Sequence, residues 1–262
     1  MSASALWSLS DSTNFYSSLS RSERAPTVEE LFSNVEVENC NPLANANLVP
    51  HAATGLLEIG NPNLDVEVSN NIELGFRRTE DTTDIEFNIF YNDVSRFILL
   101  DLTGIRIDNA EIGNYIARDT RFYGFEGRMT WQLLERDSFA IETSLFGDMV
   151  KSELDTGENL PRLAPARIGA GLVVFSDEWK ASISFTEVAK QNDTFPGESE
   201  TAGYSRVDLY SDYHFHINRL ELTVFLKGNN LLDEEIRNHV SFLKDYTPEA
   251  GRNWQLGFRM SL

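Results

Sequence analysis

The stretch NWQLGFRMSL, residues 253–262, decides the fold. Its apolar members alternate strictly with polar or small ones, and they are Trp254, Leu256, Phe258, Met260 and Leu262. Because successive side chains of a β-strand point to opposite faces, such a strand has one apolar face and one polar face. Chain ends are ordinarily frayed and polar, so an apolar last residue is expected where it meets lipid or closes a barrel. The stretch predicts the last strand of a membrane β-barrel, with the last strand of a soluble sandwich as the alternative.

The same alternation recurs along the chain. It is found in residues 72–76, 85–91, 139–149, 207–217 and 220–226. A sandwich strand would alternate too, but several of these segments run about ten residues, the length that a tilted strand needs to cross a bilayer. Charged side chains stand at mid-strand on the polar face, as a hydrated lumen allows. Length and charge placement therefore favour the barrel.

Connections of two lengths separate these segments. The short turns are predicted at residues 11–13, 79–83, 135–138, 176–178 and 217–219, and the long polar loops at 22–67, 101–118, 152–166, 191–203 and 229–251. Outer-membrane barrels have short periplasmic turns and long extracellular loops. The pattern predicts an all-β, antiparallel transmembrane β-barrel portion of about eleven strands. Six aromatic residues fall near predicted strand ends, where an interfacial girdle is expected: Trp7, Phe15, Tyr16, Trp131, Trp179 and Trp254.

Composition narrows the class of partner. A formal net charge of -19 argues against nucleic acid as a partner. The single cysteine, Cys40, cannot form an internal disulfide and is assigned no role. No apolar run is long enough for a membrane-spanning helix, and the sequence contains no nucleophile elbow, phosphate loop or His-Glu-x-x-His motif. We therefore expect neither a helical membrane protein nor an enzyme.

The first residues look like a strand already under way. Residues 1–9 have neither the basic nor the apolar region of a signal peptide. An outer-membrane type of ending without an export signal is most simply explained by a C-terminal piece of a longer chain. We expect residues 1–262 to form a single domain of that kind.

The loop residues carry a resemblance to a known family. Arg24-Ala25-Pro26 and Asn61-Pro62-Asn63-Leu64 resemble the Arg-Ala-Pro and Asn-Pro-Asn-Leu boxes of TonB-dependent outer-membrane receptors. Three later stretches, 123–127, 160–167 and 229–233, are similar to the same family in the same order. Glu23 stands where the family has Phe before the first box, and Leu262 where the family usually ends in Phe. The resemblance implies the C-terminal half of a 22-stranded barrel in the outer membrane of a Gram-negative bacterium. It also implies a plug domain and a first barrel half that this chain lacks.

The two boxes also make physical sense as scaffold. Pro26 stiffens the exit from its strand, and Thr27 with Glu30 three residues later predicts a capping box that starts a short helical turn over 28–32. Asn61-Pro62-Asn63 predicts a turn that re-enters the sheet.

Two further segments resemble the zinc-type branch of this family. They are residues 50–60 and 237–251, and they contain the candidate metal-binding residues His51, Glu58 and His239. Imidazole suits zinc and also haem iron, and haem-type receptors likewise place a histidine between the two boxes. His214 and His216 are interpreted as lumen or rim residues instead.

The resemblance implies uptake of a metal or metal complex, energised by the TonB complex through the missing plug. The outer-membrane lipid is then a further partner. Zinc is the expected cargo, with haem or a siderophore as the alternative and no resident cofactor. A non-transporting barrel remnant or a soluble β-sandwich binding module are the other readings.

Overall fold

The computed structural model describes residues 1–217 and 220–261. It contains a short helix α1 (Val28–Phe32), a 3-10 turn (Asn45–Asn47) and fourteen strands. The strands are β1 (Ser2–Ser8), β2 (Thr13–Arg24), β3 (Val35–Glu36), β4 (Asn41–Pro42), β5 (Leu57–Ile59), β6 (Glu67–Glu80), β7 (Thr83–Ile107), β8 (Ala110–Arg136), β9 (Phe139–Leu154), β10 (Arg167–Phe175), β11 (Trp179–Val188), β12 (Tyr204–Ile217), β13 (Leu220–Asn229) and β14 (Asn253–Ser261). In the part of the chain that is described, no helix has the length and apolar character to cross a membrane.

Eleven strands lie side by side in one sheet. Their order is β1-β2-β6-β7-β8-β9-β10-β11-β12-β13-β14, and each pairs antiparallel with the next. β5 adds to this sheet by pairing parallel with β8, and β3 pairs with β4 in a separate small ribbon. The predicted all-β antiparallel sheet of about eleven strands is confirmed.

The register collects the apolar side chains on one face of this sheet. Ile183 pairs with Leu209, and Leu226 pairs with Leu256. Leu74 is 45% exposed and Leu256 is 78% exposed, so these side chains do not form an interior core. The soluble sandwich would have buried them between two sheets, and that alternative is wrong.

The opposite face of the sheet is polar. Glu126 and Asp148 are neighbours across β8 and β9, and Arg167 of β10 donates to Asp148 at 2.8 Å. Asn88 donates to Glu126 at 3.2 Å on the same face. Charged groups along mid-strand are stable here because they pair with each other and remain within reach of water.

The turns follow the predicted alternation of lengths with one exception. Short turns join β1 to β2, β6 to β7, β8 to β9 and β10 to β11, and long loops occupy 25–66, 155–166, 189–203 and 230–252. The predicted turn at 217–219 and the terminal Leu262 lie outside the described residues or at their border.

The exception is the predicted long loop at 101–118, which is wrong. β7 continues to Ile107 and β8 begins at Ala110, so only Asp108 and Asn109 form the turn. Both have left-handed backbones, with φ of 48° and 69°, as a two-residue hairpin turn requires. The tip of this hairpin is exposed at residues 104–106 and 108–109. Its polar sequence there resembles that of a loop.

The expectation for Tyr16 is also wrong. Trp7 and Phe15 pair on the apolar face, as an interfacial girdle requires. Tyr16 follows Phe15 and therefore points to the polar face, where its hydroxyl donates to Asn88.

Buried apolar packing lies at the long-loop end of the sheet. Leu99, Leu154, Leu160 and Phe195 form the buried cluster, and Phe97, Ile116 and Phe122 pack against it. These residues come from the upper parts of β7, β8 and β9 and from two loops. The core of this chain therefore anchors the loops rather than the sheet.

Candidate functional site

The Arg-Ala-Pro box builds the predicted helical turn. Thr27 accepts from the backbone N–H of Glu30 at 3.2 Å, and the Glu30 carboxylate accepts from the N–H of Thr27 at 2.7 Å. The predicted capping box over α1 is therefore confirmed. Arg24 reaches Glu30 at 3.0 Å and Glu67 at 2.7 Å. Burial alone would raise the pKa of the Glu30 carboxyl, yet Arg24 and the Thr27 hydrogen bonds lower it below 4.5.

The Asn-Pro-Asn box touches this helix through its backbone. The N–H of Asn61 donates to the Glu30 carbonyl at 2.8 Å, and that of Gly60 donates to the Ser33 carbonyl at 2.7 Å. A Cβ on Gly60 would lie 2.6 Å from the Leu31 carbonyl carbon, so only glycine fits this approach. The two boxes thus close the base of the loop that carries His51.

A tight turn presents His51. The carbonyl of His51 accepts from the N–H of Gly55 at 2.8 Å, and the N–H of His51 donates to the Leu56 carbonyl at 2.8 Å. Gly55 has a φ of 68°, which glycine adopts without strain. β5 follows directly and pairs Glu58 with Gly113 of β8. Pairing with β8 therefore fixes the backbone of Glu58 close to the His51 turn.

These elements bring a buried carboxylate next to an accessible imidazole. His51 Nδ1 lies 3.6 Å from Glu58 Oε1. Thr54 donates to Glu58 Oε1 at 2.6 Å, and Tyr115 donates to Glu58 Oε2 at 2.7 Å. Glu58 is 3% exposed, while the His51 side chain is 37% exposed. Each oxygen of the Glu58 carboxylate therefore accepts one hydroxyl hydrogen bond, which fixes the orientation of this side chain.

Sequence reasoning missed Tyr115 and Thr54. Tyr115 fell in the stretch assigned to a loop, and only its place on β8 brings it to Glu58. Thr54 lies three residues after His51 in the zinc-like segment, and a hydroxyl at that distance in a turn was the available signal.

His51 and Glu58 line a cavity of about 580 Å³. Its polar lining residues, here called the polar wall, are Glu29, His51, Thr54, Glu58 and Tyr115. The remaining lining, here called the apolar wall, is apolar except for Arg162 and includes Phe97, Leu99, Phe122, Leu160 and Phe242. The Arg162 guanidinium lies 3.9 Å over the ring of Phe242. Such a cavity has room for a small organic ligand as well as an ion.

The separation of His51 and Glu58 suits a shared metal ion. Two tetrahedral zinc ligands at the usual bond lengths lie about 3.3 Å apart, close to the observed 3.6 Å. Within residues 1–217 and 220–261, no group of three His, Cys, Asp or Glu is close enough to hold a metal together. The pair supplies two ligands, and the other positions of a bound metal would need donors from elsewhere.

His239 lies in a different environment from the His51 pair. It is 2% exposed, its Nδ1 lies 2.9 Å from the Thr201 hydroxyl, and its Nε2 lies 3.3 Å from Glu198. The Lys244 ammonium lies 3.3 Å from Nε2 and 3.4 Å from Nδ1. Burial and the neighbouring Lys244 charge lower the pKa of His239 below 6.5. The structure therefore brings His51 and Glu58 together, whereas the ring nitrogens of His239 are engaged by other side chains of the protein.

Cys40 and the strand histidines lie outside this site. Cys40 is exposed and unpaired within the described chain. On β12, His214 Nδ1 lies 2.9 Å from the Thr223 hydroxyl, and His216 Nε2 lies 4.0 Å from Glu221. Both histidines point to the polar face near the short-turn end, as expected of rim residues.

Solved structures share this fold. Copper transporter OprC is similar with a TM-score of 0.75 and 20% identity, over 99% of this chain and 39% of that one. The siderophore receptor PirA from Pseudomonas aeruginosa gives a TM-score of 0.64 and 19% identity, over 100% of this chain and 42% of that one. The FrpB iron transporter from Neisseria meningitidis gives a TM-score of 0.66 and 11% identity, over 98% of this chain and 38% of that one. The chain thus spans about two fifths of the length of these structures.

A family model agrees with the fold. The model described as "TonB dependent receptor-like, beta-barrel" matches residues 2–231, which is most of the chain. The short turns, long loops and single antiparallel sheet are those of such a barrel. The chain therefore belongs to the TonB-dependent receptor-like β-barrel family.

Proposed function

We propose that this chain is the C-terminal half of the barrel of an outer-membrane receptor that takes up a metal or a metal complex, with zinc as the cargo. Uptake would be energised by the TonB complex through a plug domain. Family membership supports the receptor class. The apolar face of the sheet supports contact with outer-membrane lipid, because hydrocarbon is the medium in which exposed Leu74 and Leu256 are stable.

The observation that supports zinc as the cargo is the His51–Glu58 pair in the cavity. One imidazole nitrogen and one carboxylate oxygen, 3.6 Å apart, are ligands that zinc accepts. The similar structures named above include a copper transporter and a siderophore receptor. Copper(I) selects thiolate and thioether ligands, and the described residues that line the cavity include neither Cys nor Met. The lining therefore favours zinc over copper(I).

A metal complex such as haem or a ferric siderophore is the second candidate. The cavity of about 580 Å³ lies within the size range of small-molecule sites. Its aromatic side chains Phe97, Phe122 and Phe242 offer a surface for the organic part of a complex. The donors of that organic part would also fill the coordination positions that His51 and Glu58 leave open.

Binding by purified full-length receptor tests the cargo. His51→Ala should weaken zinc binding about 10–100-fold, as expected when a metal shell is disrupted. Titration calorimetry measures zinc, and the Soret band of bound haem measures the alternative. His216→Ala is the matched control, because His216 is an exposed histidine on β12 outside the cavity. If the His51→Ala receptor binds both species as the parent does, the cavity assignment is wrong.

Cellular uptake separates an active importer from a non-transporting remnant. Cells that carry the full-length receptor should accumulate labelled cargo only when TonB is present. Binding without accumulation would identify a remnant, and accumulation without TonB would exclude energised transport.

A further inference from the structure

Three loops converge on one carboxylate, that of Glu198. Loop A is residues 155–166, loop B is 189–203 and loop C is 230–252. Oε1 of Glu198, in loop B, accepts from the backbone N–H of Arg162 in loop A at 2.9 Å and from the Lys244 ammonium in loop C at 2.7 Å. Oε2 accepts from the N–H of Phe195 within loop B at 3.2 Å. A single side chain therefore ties together segments that are far apart in sequence.

This junction is withdrawn from solvent. The side chain of Glu198 is 9% exposed and that of Lys244 is 6% exposed. Lys244 also donates to the Ser199 carbonyl at 2.8 Å, which gives loops B and C a second link. Burial raises the pKa of Glu198, but the bonds from Lys244, Phe195 and Arg162 outweigh it and lower the pKa below 4.5. The Glu198 carboxyl is therefore charged at neutral pH, and removing one partner of the pair leaves the other buried without compensation.

The two outer loops form part of the apolar wall of the cavity. Arg162 has a left-handed backbone with φ of 56°, and its guanidinium lies 3.9 Å over the ring of Phe242. Its N–H is one of the groups held by Glu198. Phe242 comes two residues before Lys244, so the ion pair fixes the backbone on which this ring is carried. Phe195, the third group held by Glu198, packs in the buried cluster with Leu160 of loop A.

We propose that Glu198 is a positioning residue, which holds Arg162 and Phe242 together as the surface that receives the organic part of a bound metal complex. This inference rests on the proposed function and deepens it. Glu198 itself does not line the cavity. It acts through the two wall residues, whereas His51 and Glu58 act on the metal.

Amide hydrogen exchange of the full-length receptor tests the junction without any ligand. Glu198→Ala should speed exchange about tenfold or more in all three loops, because each loses a bond to the carboxylate. Glu198→Gln has one acceptor oxygen, which at the Oε1 position still accepts from the Arg162 N–H. It loses the acceptor for the Phe195 N–H and the charge that pairs with Lys244, so exchange should rise in loops B and C and less in loop A. Lys244→Met should likewise release loop C and leave Arg162 protected. Glu200→Ala is the matched control, since Glu200 is exposed in the same loop and carries the same charge.

Binding of two probes, ferric haem and zinc ion, then tests whether the apolar wall receives the organic part of a complex. Glu198→Ala should bind haem about tenfold more weakly, the effect of losing one well-placed charged contact. Zinc affinity should change by less than about twofold, since zinc would contact the polar wall only. Glu200→Ala should bind both probes as the parent does. Because Glu198→Gln preserves the Arg162 bond, it should recover part of the haem affinity.

Several results would overturn the proposal. Faster exchange confined to loop B would show that Glu198 does not join the loops. An equal loss of zinc and haem affinity would indicate general destabilisation. If the parent receptor binds zinc but not haem, the apolar wall does not receive the organic part of a complex, while the zinc assignment stands. A parent that binds neither probe would refute zinc and haem as cargo, and the exchange pattern would still decide whether Glu198 joins the three loops.

Discussion

At the residue scale, the central feature is a carboxylate held in place by hydroxyl groups. Glu58 is almost fully buried, and Thr54 and Tyr115 each donate to one of its oxygens. Groups that orient a metal ligand affect affinity nearly as much as the ligand itself. Loss of either hydroxyl donor is therefore expected to lower metal affinity, as loss of His51 is.

Replacing Tyr115 by Phe tests this expectation. The change removes the hydroxyl that donates to Glu58 and keeps the ring, so zinc affinity should fall about 10-fold or more. Calorimetric titration of the full-length receptor measures the effect. Tyr91→Phe is the control, because Tyr91 is exposed on the apolar face of β7. Unchanged zinc affinity in Tyr115→Phe would show that the Tyr115 hydrogen bond does not support metal binding by Glu58.

Glu30 predicts a pH dependence of the loop base. Its pKa in the fold is lowered from 4.5, so its contacts with Thr27 and Arg24 contribute stability that is fully present above pH 4.5. That stability is lost as the pH falls from 4.5 through the lowered pKa. Exchange at the α1 amides, corrected for intrinsic rates, should show progressive loss of protection over this acid range. In Glu30→Gln the acid-dependent part should disappear, and a persistent dependence would mean that another group controls α1.

At the element scale, each strand separates two environments within one residue step. Ile183 lies on the apolar face of β11 and is largely exposed, and Ser184 lies next to it on the polar face. The two positions share a strand, a depth and neighbouring strands. They are therefore a matched pair for testing which face meets lipid.

Arginine at these two positions should have opposite effects on folding. Ile183→Arg should destabilise the full-length barrel by roughly 2–4 kcal/mol if this position faces the hydrocarbon. Ser184→Arg should be tolerated, since it points to the polar face opposite Asp208. Unfolding by denaturant in lipid vesicles measures both. Equal tolerance at the two positions would contradict the assignment of the lipid face.

Some of these elements could be predicted from the sequence and others could not. The capping box of α1 was predicted to the residue, because Thr27 and Glu30 have a local spacing rule. The end of β7 was not, because the exposed polar residues at the tip of its hairpin resemble a loop. The same error concealed Tyr115. The junction at Glu198 has no local signature, since Arg162, Glu198 and Lys244 come together only through tertiary packing.

At the scale of the whole molecule, the sheet has two open edges. In the described chain, β1 pairs only with β2, and β14 pairs only with β13. Unpaired strand edges are costly in lipid and associate in water. Residues 1–262 expressed alone are expected to aggregate or form large oligomers in detergent, as light scattering after size-exclusion chromatography would show. The full-length receptor is the control, and a stable monomer of residues 1–262 would contradict this expectation.

The length of β8 has a consequence for where selection occurs. Tyr115 and Trp131 lie sixteen residues apart on this strand, which is about 53 Å at roughly 3.3 Å per residue. With a tilt of about 40°, the strand climbs about 40 Å between them, whereas the apolar band of such a barrel is about 25 Å tall. In the proposed placement, with Trp131 at the inner interface, the cavity stands about 15 Å above the hydrocarbon. Cargo would therefore be recognised in the surrounding medium, against its salts and competing chelators, before it begins to descend through the bilayer.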